Sequence, residues 1–145
     1  MTSNILNKKS FFEVSLFNIK SFILLMKPRV MSLVIFTCAV GLLTAPNDVP
    51  FVKSVLSIFF VAIGAGAAGA LNMWYEADLD KLMTRTCLRP IPTGKLNKKQ
   101  ALIFGILLSV ISIIGLYLTS NLLSAIILFI TISFYVFVYT IWLKR

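Results

Sequence analysis

The chain has 145 residues, of which 59% are apolar and 13% charged; Lys and Arg number 14, Asp and Glu 5, and there is no histidine. A water-soluble domain of this length cannot hide so much apolar surface, so the chain is expected in a bilayer. Without histidine, imidazole acid–base catalysis and histidine metal ligation are excluded from this chain.

Residues 1–21 read as a short cytoplasmic lead-in, partly amphipathic. They carry lysines and phenylalanines but no apolar core closed by a small-residue cleavage site. Four apolar stretches then approach the length that crosses a membrane, at residues 26–43, 55–75, 101–118 and 122–143. The expected fold is an all-α integral membrane protein with four transmembrane helices. The second stretch is rich in Gly and Ala from Ala62 to Ala70. Pairs four apart, such as Ala62/Gly66 and Ala65/Gly69, let helix backbones approach closely, or make room for a bulky ligand. This stretch is expected at the centre of the bundle. The third and fourth stretches are rich in Ile, Leu and Phe and are expected to face lipid. Gly105, Ser109 and Gly115 mark one packing face of the third. The short Ser120-Asn121 turn makes the last two an antiparallel hairpin.

Charge is placed unevenly. All of the 14 basic residues except Lys53 fall before the first stretch or at its start, in the 76–100 connection, or at Lys144-Arg145. With four spans these lie on one side, and the positive-inside rule puts both termini and that connection in the cytoplasm. The net charge of +9 is therefore read as topology, with no nucleic acid as partner. Without a convincing transit peptide, a bacterial plasma (inner) membrane is favoured over a mitochondrial inner membrane.

The 76–100 connection is too long and too charged for a simple link. Three of the chain's 5 acidic residues, Glu76, Asp78 and Asp80, stand at its start. Charge beside a membrane segment is costly and marks a functional site by default. On a helix, Asn72, Glu76 and Asp80 lie four apart, each step turning about 40°, so they share one face. Asp78 lies roughly 200° around from Glu76, which suits a second-shell or solvated role. Two carboxylates and an amide are hard oxygen donors suited to Mg²⁺, and a cation relieves their mutual repulsion. Downstream, Lys81, Arg85 and Arg89 also recur every four residues, so a short helix would align them to meet a diphosphate. Pro90 and Pro92 stop any helix there, and Gly94 permits a turn. Acid and base side by side at a lipid boundary point to a lipid diphosphate, its tail in the bundle and its head group on the metal. An allylic cation left by diphosphate departure would be stabilised by aromatic faces such as Trp74, Tyr75 or Phe104. The plainer readings are a solvated connector and interfacial anchoring aromatics.

The run Asn72-Met-Trp-Tyr-Glu-Ala-Asp-Leu-Asp80, with Arg85-Thr and Arg89-Pro-Ile-Pro-Thr-Gly94 after it, resembles the first acidic motif of the UbiA intramembrane prenyltransferases, above all their haem-farnesylating subgroup. Lys27-Pro28-Arg29-Val30 and Ile141-Trp-Leu-Lys-Arg145 fit the same subgroup, so the resemblance covers about residues 22–145. It implies a larger helical bundle that transfers a farnesyl group from farnesyl diphosphate to a vinyl group of haem B, its substrate, yielding haem O, with Mg²⁺ on the diphosphate. Carried onto this chain, Asn72, Glu76 and Asp80 take the catalytic metal-binding places. Asp78, an extra acid typical of the subgroup, is counted with them among the metal ligands, and Lys81, Arg85 and Arg89 face the diphosphate. Two departures carry consequences. Glu76 stands where the family has Asp, adding about 1.5 Å of reach. A misplacement of about 1 Å can cost on the order of 10²-fold in rate. The family's second acidic motif is also absent, so the chain is expected to be an N-terminal half, incomplete or inactive alone and in need of a separate C-terminal half. The alternatives are a non-catalytic membrane fragment and a prenyltransferase with another aromatic acceptor.

Overall fold

The computed structural model describes residues 19–46 and 50–143, so most of the expected lead-in, together with Lys144 and Arg145, lies outside the described residues. Five helices follow in order: α1 (Ile19–Leu25), α2 (Pro28–Leu43), α3 (Phe51–Asp80), α4 (Lys98–Thr119) and α5 (Leu122–Phe134). The last continues as a π-helical segment over Tyr135–Leu143. The described residues contain no strand. The protein is an all-α membrane protein, as its composition requires.

Three helical spans are long and apolar enough to cross a membrane: α3, α4, and α5 with its π-helical continuation. A fourth arises when α1 and α2, bent by 59°, are taken as one broken span. The first stretch was expected to be continuous from Met26. Instead α2 starts at Pro28, and Lys27 before it has φ 53°. Proline's ring disfavours right-handed helical geometry in the residue it follows. Lys27 takes the left-handed conformation instead, while Pro28 opens α2 with no amide proton to leave unpaired. The break follows from the Lys27-Pro28 pair.

α3 is longer than expected at both ends. Pro50 precedes its first residue, and it stays helical through Asp80, so the acidic residues ride on the helix and the connection begins at Lys81. α3 packs against α2, α4, α5 and the π-helical segment. Its small residues decide how close these come. A Cβ at Gly66 would stand 2.4 Å from the Met26 side chain, and one at Gly69 3.2 Å from the Met26 carbonyl oxygen. The α1–α2 hinge is thus seated directly on α3. On the other side, α4 is admitted by Gly105 against Leu71 and Gly115 against Phe60. α4 starts where the Asn97 amide donates to Gln100 Oε1, and α5 where Asn121 Oδ1 accepts from the Ser124 amide.

The connection from Lys81 to Asn97 is a run of turns, not a helix. Ile91 and Leu96 are buried with Leu25, Ala70, Met73 and Ala77, and Gly94 at φ 75° makes the turn between them. These two apolar side chains fasten a polar loop onto the end of the bundle.

Candidate functional site

The last turns of α3 place Asn72, Glu76 and Asp80 on one side, all buried, at 0%, 4% and 3% exposure. Their four-residue spacing gives the shared face; the loop and the hinge give the burial. Asn72 Nδ2 donates to Glu76 Oε1 at 2.9 Å and to Thr140 Oγ1 at 3.1 Å. The Lys27 ammonium donates to Asn72 Oδ1. Arg89 Nη1 donates to both Asp80 oxygens, at 2.8 and 2.7 Å, and lies 3.7 Å from Glu76 Oε2. Thr86 Oγ1 holds the Asp80 carbonyl at 3.2 Å, pinning the loop that carries Arg89. Two buried carboxylates, a half-buried lysine and a half-buried arginine therefore form a charge-balanced group. Ions removed from water persist only when paired in this manner.

The other residues expected here lie elsewhere. Asp78 is exposed and pairs with Lys98 at 2.6 Å and Lys81 at 3.8 Å. Lys81 and Arg85 are exposed, and without a helix beneath them they do not share a face with Arg89. The structure thus brings together Asn72, Glu76, Asp80 and Arg89, and separates Asp78, Lys81 and Arg85 from them.

Lys27 and Thr140 join the site without having been singled out. Lys27 carried a signal, a cation before a proline at the start of an apolar stretch. Thr140 carried none, because a lone threonine in an apolar helix is ordinary.

Beside the site opens an apolar cavity of about 450 Å³ between α2, α3 and α5. Lys27, Gly69 and Tyr135 line one end, and Leu42, Ser57 and Ser120 the other. The small residues of α3 serve both readings offered for them: some admit neighbouring helices, and Gly64, Ala65, Ala68 and Gly69 leave room along the cavity wall. The aromatic ring on that wall is Tyr135, stacked on Tyr139 at 5.0 Å. Trp74 and Phe104 pack against the cluster around Leu25 and Ala70 instead, and Tyr75 is not among the lining residues.

Residues 33–145 match the model of the UbiA prenyltransferase family. The chain is 62% identical over its whole length to a protoheme IX farnesyltransferase of Pelagibacter ubique, covering 48% of that protein. It is 54% identical over 133 residues to a protoheme IX farnesyltransferase of Rhodopseudomonas palustris, and 55% identical over 124 residues to a protoheme IX farnesyltransferase 2 of Mesorhizobium japonicum. These matches cover 92% and 86% of this chain and 42% and 40% of those relatives. The chain spans about half the length of the curated relatives it matches. No solved structure matches it. A buried acidic face beside an apolar cavity, and the match over most of the length, lead to one conclusion: this chain belongs to the UbiA prenyltransferase family.

Proposed function

We propose that the chain serves haem O synthesis, contributing to transfer of a farnesyl group from farnesyl diphosphate to a vinyl group of haem B. The observation that carries this reading is the junction of two unlike surfaces at Lys27. Lys27 touches Asn72 in the charged group and also lines the apolar cavity. A molecule with a charged head and a long apolar tail matches that junction. The cavity's size falls within the roughly 300–1,000 Å³ of small-molecule sites.

The donor set suits Mg²⁺. Among the described residues no three His, Cys, Asp or Glu side chains form a metal-binding group, so the protein offers two carboxylates and the Asn72 oxygen. Mg²⁺ is commonly held by one or two carboxylates together with substrate phosphates. Asn72, Glu76 and Asp80 would hold it, where it would draw charge off the diphosphate leaving group. Lys27 and Arg89 are the protein's own cations at this point, and both can exchange a protein oxygen for a phosphate oxygen. Their carboxylate and amide partners would then be released toward the metal. Tyr135, which lines the cavity end where an allylic cation would form, would be the aromatic group to stabilise it, in place of Trp74, Tyr75 and Phe104. The C1–oxygen bond of the farnesyl group breaks with its electrons leaving on diphosphate; the vinyl π electrons form the new carbon–carbon bond, and the cation left on the ring-side vinyl carbon is captured by water with loss of a proton, giving the hydroxyethyl-farnesyl side chain of haem O. The positive side of the chain is proposed to face the cytoplasm of a bacterial cell, with both termini there.

A second reading is favoured by the coverage of 48% or less of the relatives. The chain acts only alongside the segment those proteins carry beyond the matched stretch. The test is expression in a strain lacking haem O synthase, alone and with the C-terminal half of the Pelagibacter relative, followed by haem extraction and mass spectrometry. Haem O is expected with both halves and not with the chain alone. Haem O from the chain alone would overturn the need for a second half. Its absence in both cases, with both polypeptides in the membrane, would overturn the haem assignment.

A further inference from the structure

Thr140 is 2% exposed and stands in the π-helical segment, far in sequence from the acidic face it touches. Its hydroxyl donates to the Tyr135 carbonyl, five residues back, at 2.9 Å. That spacing is the one of the wider π winding, a form that often marks functional positions. With its proton committed there, the Thr140 oxygen receives Asn72 Nδ2 through a lone pair at 3.1 Å.

The polarity of the Asn72 amide is then settled by its neighbours. Glu76 accepts and cannot donate as a carboxylate, so it fixes the nitrogen side. Lys27 donates and cannot accept, so it fixes the oxygen side. Both of these partners are charged groups facing the proposed ligand. Once Glu76 turns to a cation or Lys27 to a phosphate, each loosens its hold on the amide. Thr140 has no charge to offer either, and its hold persists.

We propose that Thr140 is a positioning residue: through the π-helical turn it holds the Asn72 amide with its oxygen facing the cation while Glu76 and Lys27 change partners. The proposal rests on the metal–diphosphate reading of the site. Partners behind a metal ligand commonly contribute roughly 10- to 100-fold to metal affinity.

The test compares the whole chain with its Thr140→Val and Thr140→Ser variants, purified in detergent and matched for helicity by circular dichroism. Thr140→Ala is the substitute if valine prevents folding. Mn²⁺ with inorganic diphosphate is titrated by electron paramagnetic resonance, and the Asn72 side-chain amide is followed by NMR after selective ¹⁵N-asparagine labelling. Mn²⁺ binding about 10- to 100-fold weaker in Thr140→Val and restored to within about twofold in Thr140→Ser is expected, along with a shifted Asn72 amide signal in Thr140→Val alone. Unchanged Mn²⁺ affinity or an unchanged amide signal in Thr140→Val overturns the proposal. If the wild-type chain binds no Mn²⁺, alone or co-purified with the C-terminal half of the Pelagibacter relative, while its amide signal responds to Thr140→Val, the metal reading of the site fails and the hydrogen-bond lock alone survives.

Discussion

Asp80 and Asp78 stand two residues apart on the same helix and meet cations in opposite ways. Asp80 is buried, and its two oxygens share one nitrogen of Arg89. Asp78 is 71% exposed at its side chain and bonds Lys98 directly, in contact with solvent. Sequence distance says nothing about this difference; azimuth does. Asp80 faces the loop that carries Thr86 and Arg89, and Asp78 faces out, so only Asp80 can belong to a site built on desolvation. An exposed ion pair is screened by water and contributes little, whereas a buried charge that loses its partner is left with an uncompensated desolvation cost.

This contrast can be broken in order of effect. Arg89→Met alone should cost on the order of 3–5 kcal/mol of stability, because Asp80 would be left charged and dry. Thermal unfolding in detergent measures it, and Asp80→Asn added to Arg89→Met should recover most of the loss. A double variant no more stable than the single one would refute the pair as described. Glu76→Asp draws the carboxylate back from Asn72 and weakens the 2.9 Å bond, with an expected loss of about 1 kcal/mol. An unchanged melting temperature would show that the extra methylene serves nothing here. Asp78→Asn should move neither the melting temperature nor haem O yield in the two-half assay beyond scatter. A marked loss of product would bring Asp78 back into the site.

Much of the fold was legible because lipid leaves few choices for a backbone. The apolar stretches located α2, α4 and α5 with its π-helical continuation within a few residues, and the small residues of α3 announced its central place. The four-residue spacing of Asn72, Glu76 and Asp80 put them on one face before any coordinates. What escaped the sequence has physical causes. The break at Lys27-Pro28 was hidden because lysine before proline can stay extended or turn left-handed, and the choice depends on how closely Gly69 lets the hinge approach. The Lys81–Arg89 spacing suggested a helix, yet burial of Ile91 and Leu96 fastens the following segment as turns and aims Arg89 alone inward. The π-helical segment over Tyr135–Leu143 packs against α3, a long-range contact that the local sequence does not display.

The length of α3 has a consequence for where reactants meet. At about 1.5 Å per residue its 30 residues extend roughly 45 Å, against about 30 Å of hydrocarbon. Counted from Phe51, Asn72 lies about 30 Å along the axis, so with Phe51 at one edge of the hydrocarbon Asn72 stands at the other, and Glu76 and Asp80 step outward into the head-group layer. A lipid substrate could present its polar end at this depth without leaving its own leaflet. The helix serves as a ruler as well as a scaffold, and bilayers of different thickness should raise or lower the same three side chains relative to the phosphates around them.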